Sequence, residues 1–264
     1  MNLNMEMYVQ EFGSNQPDSI VFIHGGGLSG WMWDGQVKDL SDFHCLVPDL
    51  PEQGRSKGLK PFSIKDSAQQ ITELIKNKAH EGKAHVVGHS IGAQIVVQLL
   101  SFAPEVVDHA IVNSALVRRI PGRTSLIKPT VQLTIPLTKA KWFAKIQAKL
   151  LNVPNDDFTR YFNDSKSITA ESLENLLMEN ANFSLPEGLE YCTVPTLILL
   201  GQKERGIMRN SAKALVSAIP NSKGYLVQGV GHSFNFEDPD LYTRILRNWF
   251  TNKQLPTERL SAVR

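Results

Sequence analysis

The chain has 264 residues, of which 42% are apolar and 20% charged, the balance of a soluble globular protein long enough for one large domain or two small ones. Global disorder, collagen-like repeats and coiled coil are excluded. Lys+Arg number 28 against 26 Asp+Glu, a net charge of +2, which is a smaller basic excess than a chain bound mainly to nucleic acid carries.

Met1–Glu6 has neither a basic n-region nor an apolar h-region, so no secretory leader is expected. No apolar run reaches the roughly 20 residues that span a bilayer, and a cytoplasmic location is the expectation. The stretch near Met5–Phe12 fits an antiparallel edge strand. Beyond it, short apolar runs alternate with helical patterns, as in a parallel sheet flanked by helices. The runs are Ile20–Ile23, Cys45–Val47, Ala84–Val87, Ala110–Val112 and Thr196–Leu200, with a weaker one at Gly224–Val227. They are apolar on both faces, as strands covered on each side must be. Ser63 with Asp66 reads as an N-cap followed by a carboxylate three residues on. Ile64, Ala68, Ile71, Leu74 and Ile75 then recur at helical spacing. Further helices are expected over Ile91–Phe102, Ser211–Ile219 and Asp240–Phe250. Leu116–Glu190 breaks the alternation: it shows no strand and reads as amphipathic helices separated by Pro121, Pro129, Pro136, Pro154 and Pro186. The expected organisation is one α/β core, residues 1–115 and 191–264, interrupted by a helical lid over 116–190. Two cysteines, Cys45 and Cys192, are too few for a disulfide scaffold. Monomer and homodimer both stay open.

Gly88-His89-Ser90-Ile91-Gly92 fits G-x-S-x-G, directly after one strand and directly before a helix, the context this motif requires. The glycines let strand and helix approach without a Cβ clash. The serine hydroxyl is then raised at the end of the sheet, where the helix N-terminus favours developing negative charge. His24-Gly25-Gly26-Gly27 follows the strand Ile20–Ile23. A glycine run there can turn a backbone N–H into a site, and the natural oxyanion pair is the N–H of Gly26 with that of Ile91, the residue after the serine. The competing dinucleotide reading lacks a G-x-G-x-x-G, and no P-loop is present.

With these motifs stand Pro48-Asp49-Leu50-Pro51-Glu52-Gln53-Gly54-Arg55-Ser56, Val194–Gly201 and Gly231-His232-Ser233. Together they resemble the α/β-hydrolase fold superfamily over nearly the whole chain. The resemblance implies a mostly parallel sheet flanked by helices, with a helical cap inserted after the sixth strand. It also implies a triad in the order Ser, acid, His. Of seven histidines, only His232 sits in a Gly-rich loop after the last strand, at the site-bearing end, and it is the expected base. His89 is expected to point away from the serine. The resemblance places the acid just after Gly201, where Glu204 replaces the usual Asp. Being one methylene longer, it requires its loop to sit slightly further from His232. An alternative acid position after Ala110–Val112 holds the neutral Asn113. Glu237 and Asp238 read as the start and cap of the last helix, and Asp49 as the tie of a turn.

The chemistry implied is acyl transfer from small or medium carboxylic esters to water through Ser90, without metal or organic cofactor. Relatives with the same constellation cleave carbon–carbon bonds, release thioesters or eliminate from menaquinone precursors, and all three stay open. Trp, common after the histidine in carbon–carbon hydrolases, is replaced here by Ser233. A non-catalytic ligand receptor of the same fold is the reading from another class. Gly27, Trp31, Trp142 and Phe143 are candidates for the pocket wall. From Leu116 to Asn155 the lid carries Arg118, Arg119, Arg123, Lys128, Lys139, Lys141, Lys145 and Lys149 with no Asp or Glu. That run suits either a weak site for anionic groups or, the preferred reading, the solvated face of amphipathic helices balanced by the acids that follow.

Overall fold

The structure, a computed structural model, describes residues 6–59, 61–119, 122 and 124–263. Met1–Met5, Pro121 and Arg123, named above, lie outside them. An eight-stranded sheet runs in the order β1-β3-β2-β4-β5-β6-β7-β8. Its strands are β1 (Val9–Phe12), β2 (Ser19–Ile23), β3 (His44–Pro48), β4 (Ala84–His89), β5 (Val107–Asn113), β6 (Thr196–Gly201), β7 (Ser222–Val227) and β8 (Leu260–Ala262). β2 to β7 are parallel, while β1 and β8 are antiparallel edges. All the apolar runs therefore became strands. β8 is an addition: it is short and largely exposed, and only its pairing to β7 defines it.

Alternation along each strand divides the core. Val21 and Ile23 of β2 join one cluster, whereas Ile20 and Phe22 join the other. The first face is covered by α2 (Ile64–Lys78), α3 (Ile91–Phe102) and α8 (Gly206–Ala218), and the second by α1 (Asp34–Asp39) and α10 (Pro239–Phe250). α2 begins where the sequence placed it, with Ser63 Oγ accepting the Asp66 N–H at 3.2 Å. Asp238 caps α10 in the same way through the Leu241 N–H, 3.1 Å. A short α9 (Phe234–Glu237) precedes it.

Between β5 and β6 the chain forms α4 (Ile127–Thr138), α5 (Lys141–Leu150), α6 (Phe158–Ser167) and α7 (Ala170–Asn182). These helices follow the fifth described strand, not the sixth, because β1 alone precedes β2. Pro129 and Pro136 do not separate helices; both lie within α4. Pro129 is in the first turn, where its missing N–H would have found no acceptor, and Pro136 is in the last turn. The inserted helices are pinned to the rest of the chain by buried and partly buried polar contacts. Asp164 of α6 accepts from Ser29 Oγ at 2.7 Å and from Trp31 Nε1 at 2.6 Å. Glu52 accepts from Ser172 and Asn175 of α7, each at 3.3 Å.

Candidate active site

Because β2 to β7 run parallel, the loops after β2, β4, β5, β6 and β7 emerge on one edge of the sheet. Ser90 stands there between β4 and α3 with φ 56° and ψ −113°, a backbone state that costs a non-glycine residue about 1–3 kcal/mol. Its N–H bonds the Asn113 carbonyl at 2.9 Å, which ties the turn to the end of β5. The turn also needs Gly92. A Cβ there would overlap the Ile23 carbonyl oxygen and lie 2.6 Å from that of His24.

In the glycine loop after β2, neighbouring N–H groups are engaged and one is not. The Gly25 N–H points to Met32 Sδ at 3.3 Å, and the Gly27 N–H donates to Gln53 Oε1 at 2.7 Å. The Gly26 N–H has no partner among the described residues. Ile91 opens α3, so its N–H has no acceptor within the helix; those of Ala93 and Gln94 turn back to the Ser90 carbonyl. His24 stabilises the loop from below. Its Nε2 accepts the Leu50 N–H at 2.9 Å, which puts its proton on Nδ1, 2.8 Å from the Gly25 carbonyl. Burial lowers its pKa, so it stays neutral in this role. Asp49 joins the same loops by accepting from the N–H groups of Gly30 (2.7 Å) and Arg55 (2.8 Å).

Glu204 and His232 meet: Nδ1 of the imidazole lies 2.8 Å from Oε2. The other carboxylate oxygen, Oε1, accepts from the Ser114 hydroxyl at 2.6 Å and the Gly201 N–H at 2.9 Å. The Glu204 side chain is 3% exposed. Burial pushes its carboxyl up, but His232, Ser114 and Gly201 together outweigh that and hold it below the usual carboxylate range. An ionised Glu204 accepts Nδ1–H, which leaves His232 Nε2 with its lone pair. The two loops are in backbone contact, since a Cβ on Gly201 would overlap the Gly231 carbonyl oxygen. Glu237 secures the histidine loop by accepting the Gly231 N–H at 2.8 Å.

His89 packs against the histidine of this pair, with ring centroids 4.8 Å apart. Its Nδ1 lies 3.2 Å from Asn113 Nδ2, so the amide donates and the His89 proton is on Nε2. Burial first, and then His232, drive its pKa well down.

The pocket-wall candidates separate. Gly27 faces Ile168, whose Cδ1 would lie 3.8 Å from a Cβ there, while Leu176 Cδ2 would lie 3.0 Å from one on Gly26. These two side chains, with Phe62, Gln53, Glu52, Pro51, Ser172 and Leu173, enclose a cavity of about 10 Å³, room for one water. Trp31 is buried and joins core to insertion through Asp164. Trp142 is 60% exposed, with Phe143 edge-on against it. Its expected place in a pocket wall is corrected by that exposure: the inward face of α5 is made by Ala144 and Ala148. Ser114, Gln53 and Asp164 were not singled out from the sequence, and Glu237, read there as the start of the last helix, instead ends α9 and holds the Gly231 N–H. A polar residue just past a strand end on the site-bearing edge was the one signal that pointed to Ser114. Among the described residues no group of three or more His, Cys, Asp or Glu is placed to hold a metal ion.

Residues 18–239 match the family described as alpha/beta hydrolase fold. The chain is 27% identical over 266 residues to an AB hydrolase superfamily protein of Gibberella zeae, covering 97% of this chain and 88% of that one. It is 25% identical over 272 residues to RutD of Serratia proteamaculans, a proposed carbamate hydrolase, covering 96% and 99%. Among solved structures, a thermophilic esterase from Thermogutta terrifontis superposes with a TM-score of 0.76 at 18% identity, covering 93% of each chain.

Proposed function

The chain belongs to the α/β-hydrolase fold family, and from that premise we propose that it is a serine hydrolase cleaving small or medium carboxylic esters through an acyl-enzyme on Ser90. The observation that carries this reading is the 2.8 Å hydrogen bond between His232 and the buried Glu204, on the edge where the strained Ser90 turn stands. Ser90 Oγ adds to the ester carbonyl carbon while His232 Nε2 takes its proton. The resulting oxyanion is held by the N–H groups of Gly26 and Ile91, each donor worth roughly 2.7–4 kcal/mol. Collapse breaks the bond to the leaving alcohol, which takes the proton from His232. Water then repeats the sequence on the acyl-enzyme and releases the acid. Glu204 holds the imidazole tautomer and stabilises its cation in both halves.

Residues 116–190 serve as the lid of this site and residues 1–115 with 191–264 as its core. Leu176, standing over Gly26, supports that assignment. Carbamate hydrolysis is a second reading, favoured by the likeness to the Serratia protein; it uses the same attack on an acyl carbon.

Two measurements test the proposal together. A fluorophosphonate probe should label the wild type and leave Ser90→Ala unlabelled; a folded wild type that takes no label removes the serine-hydrolase reading. A chain-length series of chromogenic esters, run beside a thioester, a lactone and a carbamate, should give its highest kcat/KM on a short or medium ester.

A further inference from the structure

Helix α5 is inverted for a helix on a protein surface. Its inward face carries Ala144 and Ala148, both buried. Its outward face carries Trp142, Ile146 and Leu150 at i, i+4 and i+8, exposed by 60%, 52% and 75%. One position before each stands an exposed lysine, Lys141, Lys145 and Lys149. Leu126 and Leu133, just before and within α4, are exposed by 65% and 75%. Thus five of the eight large hydrophobics exposed among the described residues fall between positions 126 and 150. No Asp or Glu occurs from Leu116 to Asn155. Solvation of an amphipathic helix accounts for the lysines but not for an outward Trp–Ile–Leu stripe beside them.

We propose that this face of α5 docks on a lipid bilayer bearing anionic headgroups. Two features favour a bilayer over an acidic protein. Protein interfaces are depleted in lysine, whereas at a membrane the lysine stem lies along apolar surface while the ammonium reaches the headgroups. Tryptophan is also enriched at the level of the headgroups. The charge is complementary: each lysine near an anionic surface strengthens partitioning about fivefold, so Lys141, Lys145 and Lys149 together give roughly 100-fold. The stripe supplies the apolar burial that a purely electrostatic attachment lacks. The proposal does not rest on the ester reading, because it uses only the exposure and charge of α5 and its test reads vesicle binding rather than turnover.

The test is co-sedimentation of the full chain with phosphatidylcholine vesicles, with or without a third of phosphatidylglycerol, at low salt. Tryptophan emission is followed in parallel. The wild type should sediment with the anionic vesicles at least about tenfold more tightly than with the neutral ones, with a blue shift from Trp142. Lys145→Glu/Lys149→Glu should weaken binding by at least about 25-fold. Trp142→Ser should weaken it and abolish the blue shift. Circular dichroism melts of both variants should match the wild type, since all three side chains point outward. Absence of sedimentation with anionic vesicles overturns the proposal, as does sedimentation that neither variant changes. A dimer seen by analytical ultracentrifugation that Trp142→Ser dissolves also overturns it, because a second copy then covers the stripe. So does tight binding to an acidic protein without vesicle binding.

Discussion

Replacing Glu204 by Gln changes one atom and removes one charge, and the surroundings dictate how the amide must sit. Oε1 faces two donors, the Ser114 hydroxyl and the Gly201 N–H, at 2.6 and 2.9 Å. Oε2 faces one, His232 Nδ1–H, at 2.8 Å. The Ser114 hydroxyl can rotate to accept, but the Gly201 N–H is fixed by the backbone and can only donate. The single oxygen of the substituted amide therefore belongs on the Gly201 side, and its NH2 group turns toward His232. An NH2 facing Nδ1 requires the imidazole proton on Nε2, where it prevents His232 from accepting the Ser90 proton. The charge that would stabilise the imidazolium is lost as well. In other serine hydrolases an amide in place of the triad carboxylate costs on the order of 10⁴ in kcat, about 5.4 kcal/mol. The same fall in kcat, with KM within about threefold, is expected here on the best chromogenic ester, together with an unfolding midpoint near the wild type's. Stopped turnover in Glu204→Asp or Glu204→Ala would not discriminate, because those substitutions also move the oxygens. A Glu204→Gln enzyme within tenfold of wild-type kcat would refute both the assigned orientation and the role of Glu204.

Three further outcomes follow from the contacts around the site. Ser114→Ala removes a hydrogen bond to a buried charge and should cost about 1.5–3 kcal/mol in urea unfolding at neutral pH. Glu204 has its carboxyl lowered in the folded state, so that contribution is present above the ordinary carboxylate pKa and lost as pH falls through the folded value. The gap between the two proteins should therefore close in acid, and a gap independent of pH would contradict the charged bond. Asp164 is raised, chiefly by burial against the bonds from Trp31 and Ser29, so its charge costs stability at neutral pH and the cost is relieved as pH falls. Both donors meet Oδ2, which an amide oxygen can replace. Asp164→Asn should thus melt at or above the wild type, whereas Asp164→Ala should melt several degrees lower after losing about 1–3 kcal/mol; the reverse order would exclude this account. Gly92→Ala places a methyl group against the Ile23 and His24 carbonyls with no side chain to give way. It should cost about 3 kcal/mol, the upper end of the usual overpacking cost, visible as a lowered melt and reduced soluble expression, and normal solubility with a wild-type melt would show that α3 can shift.

What the sequence made legible was whatever is written locally. Runs such as Thr196–Leu200, apolar on both faces, announce a central strand without help from distant residues, and G-x-S-x-G announces its turn. β8 was not legible because Leu260–Ala262 is short and exposed and becomes a strand only by pairing with Tyr225–Val227. α8 starts at Gly206, five positions before the expected Ser211. Its first turn, Gly206-Ile207-Met208-Arg209-Asn210, opens on a poor helix former and mixes polarity, so the period is hidden. At the candidate site, Ser90, His232 and Glu204 each sit in a recognisable motif. Ser114 does not: its partner Glu204 is 90 positions away. Asp164 and Trp31 are 133 apart. Such pairs are properties of the assembled loops, and no local pattern encodes them. The inverted α5 was half legible, since the lysine run is plain in the sequence while the side on which Trp142 faces depends on what α5 packs against.

The contact between Gly201 and the Gly231 carbonyl has an engineering consequence. The loop that carries Glu204 and the loop that carries His232 touch main chain to main chain, with no intervening side chain to be repacked. Gly201 also fixes one carboxylate oxygen through its own N–H, and Glu237 anchors the second loop from within it. The segment from β6 to α9 is therefore close to a self-registering cassette. Transplanted between relatives as a block, it should bring acid and base already in step, needing from its host a hydroxyl at the Ser114 position and a serine turn to face.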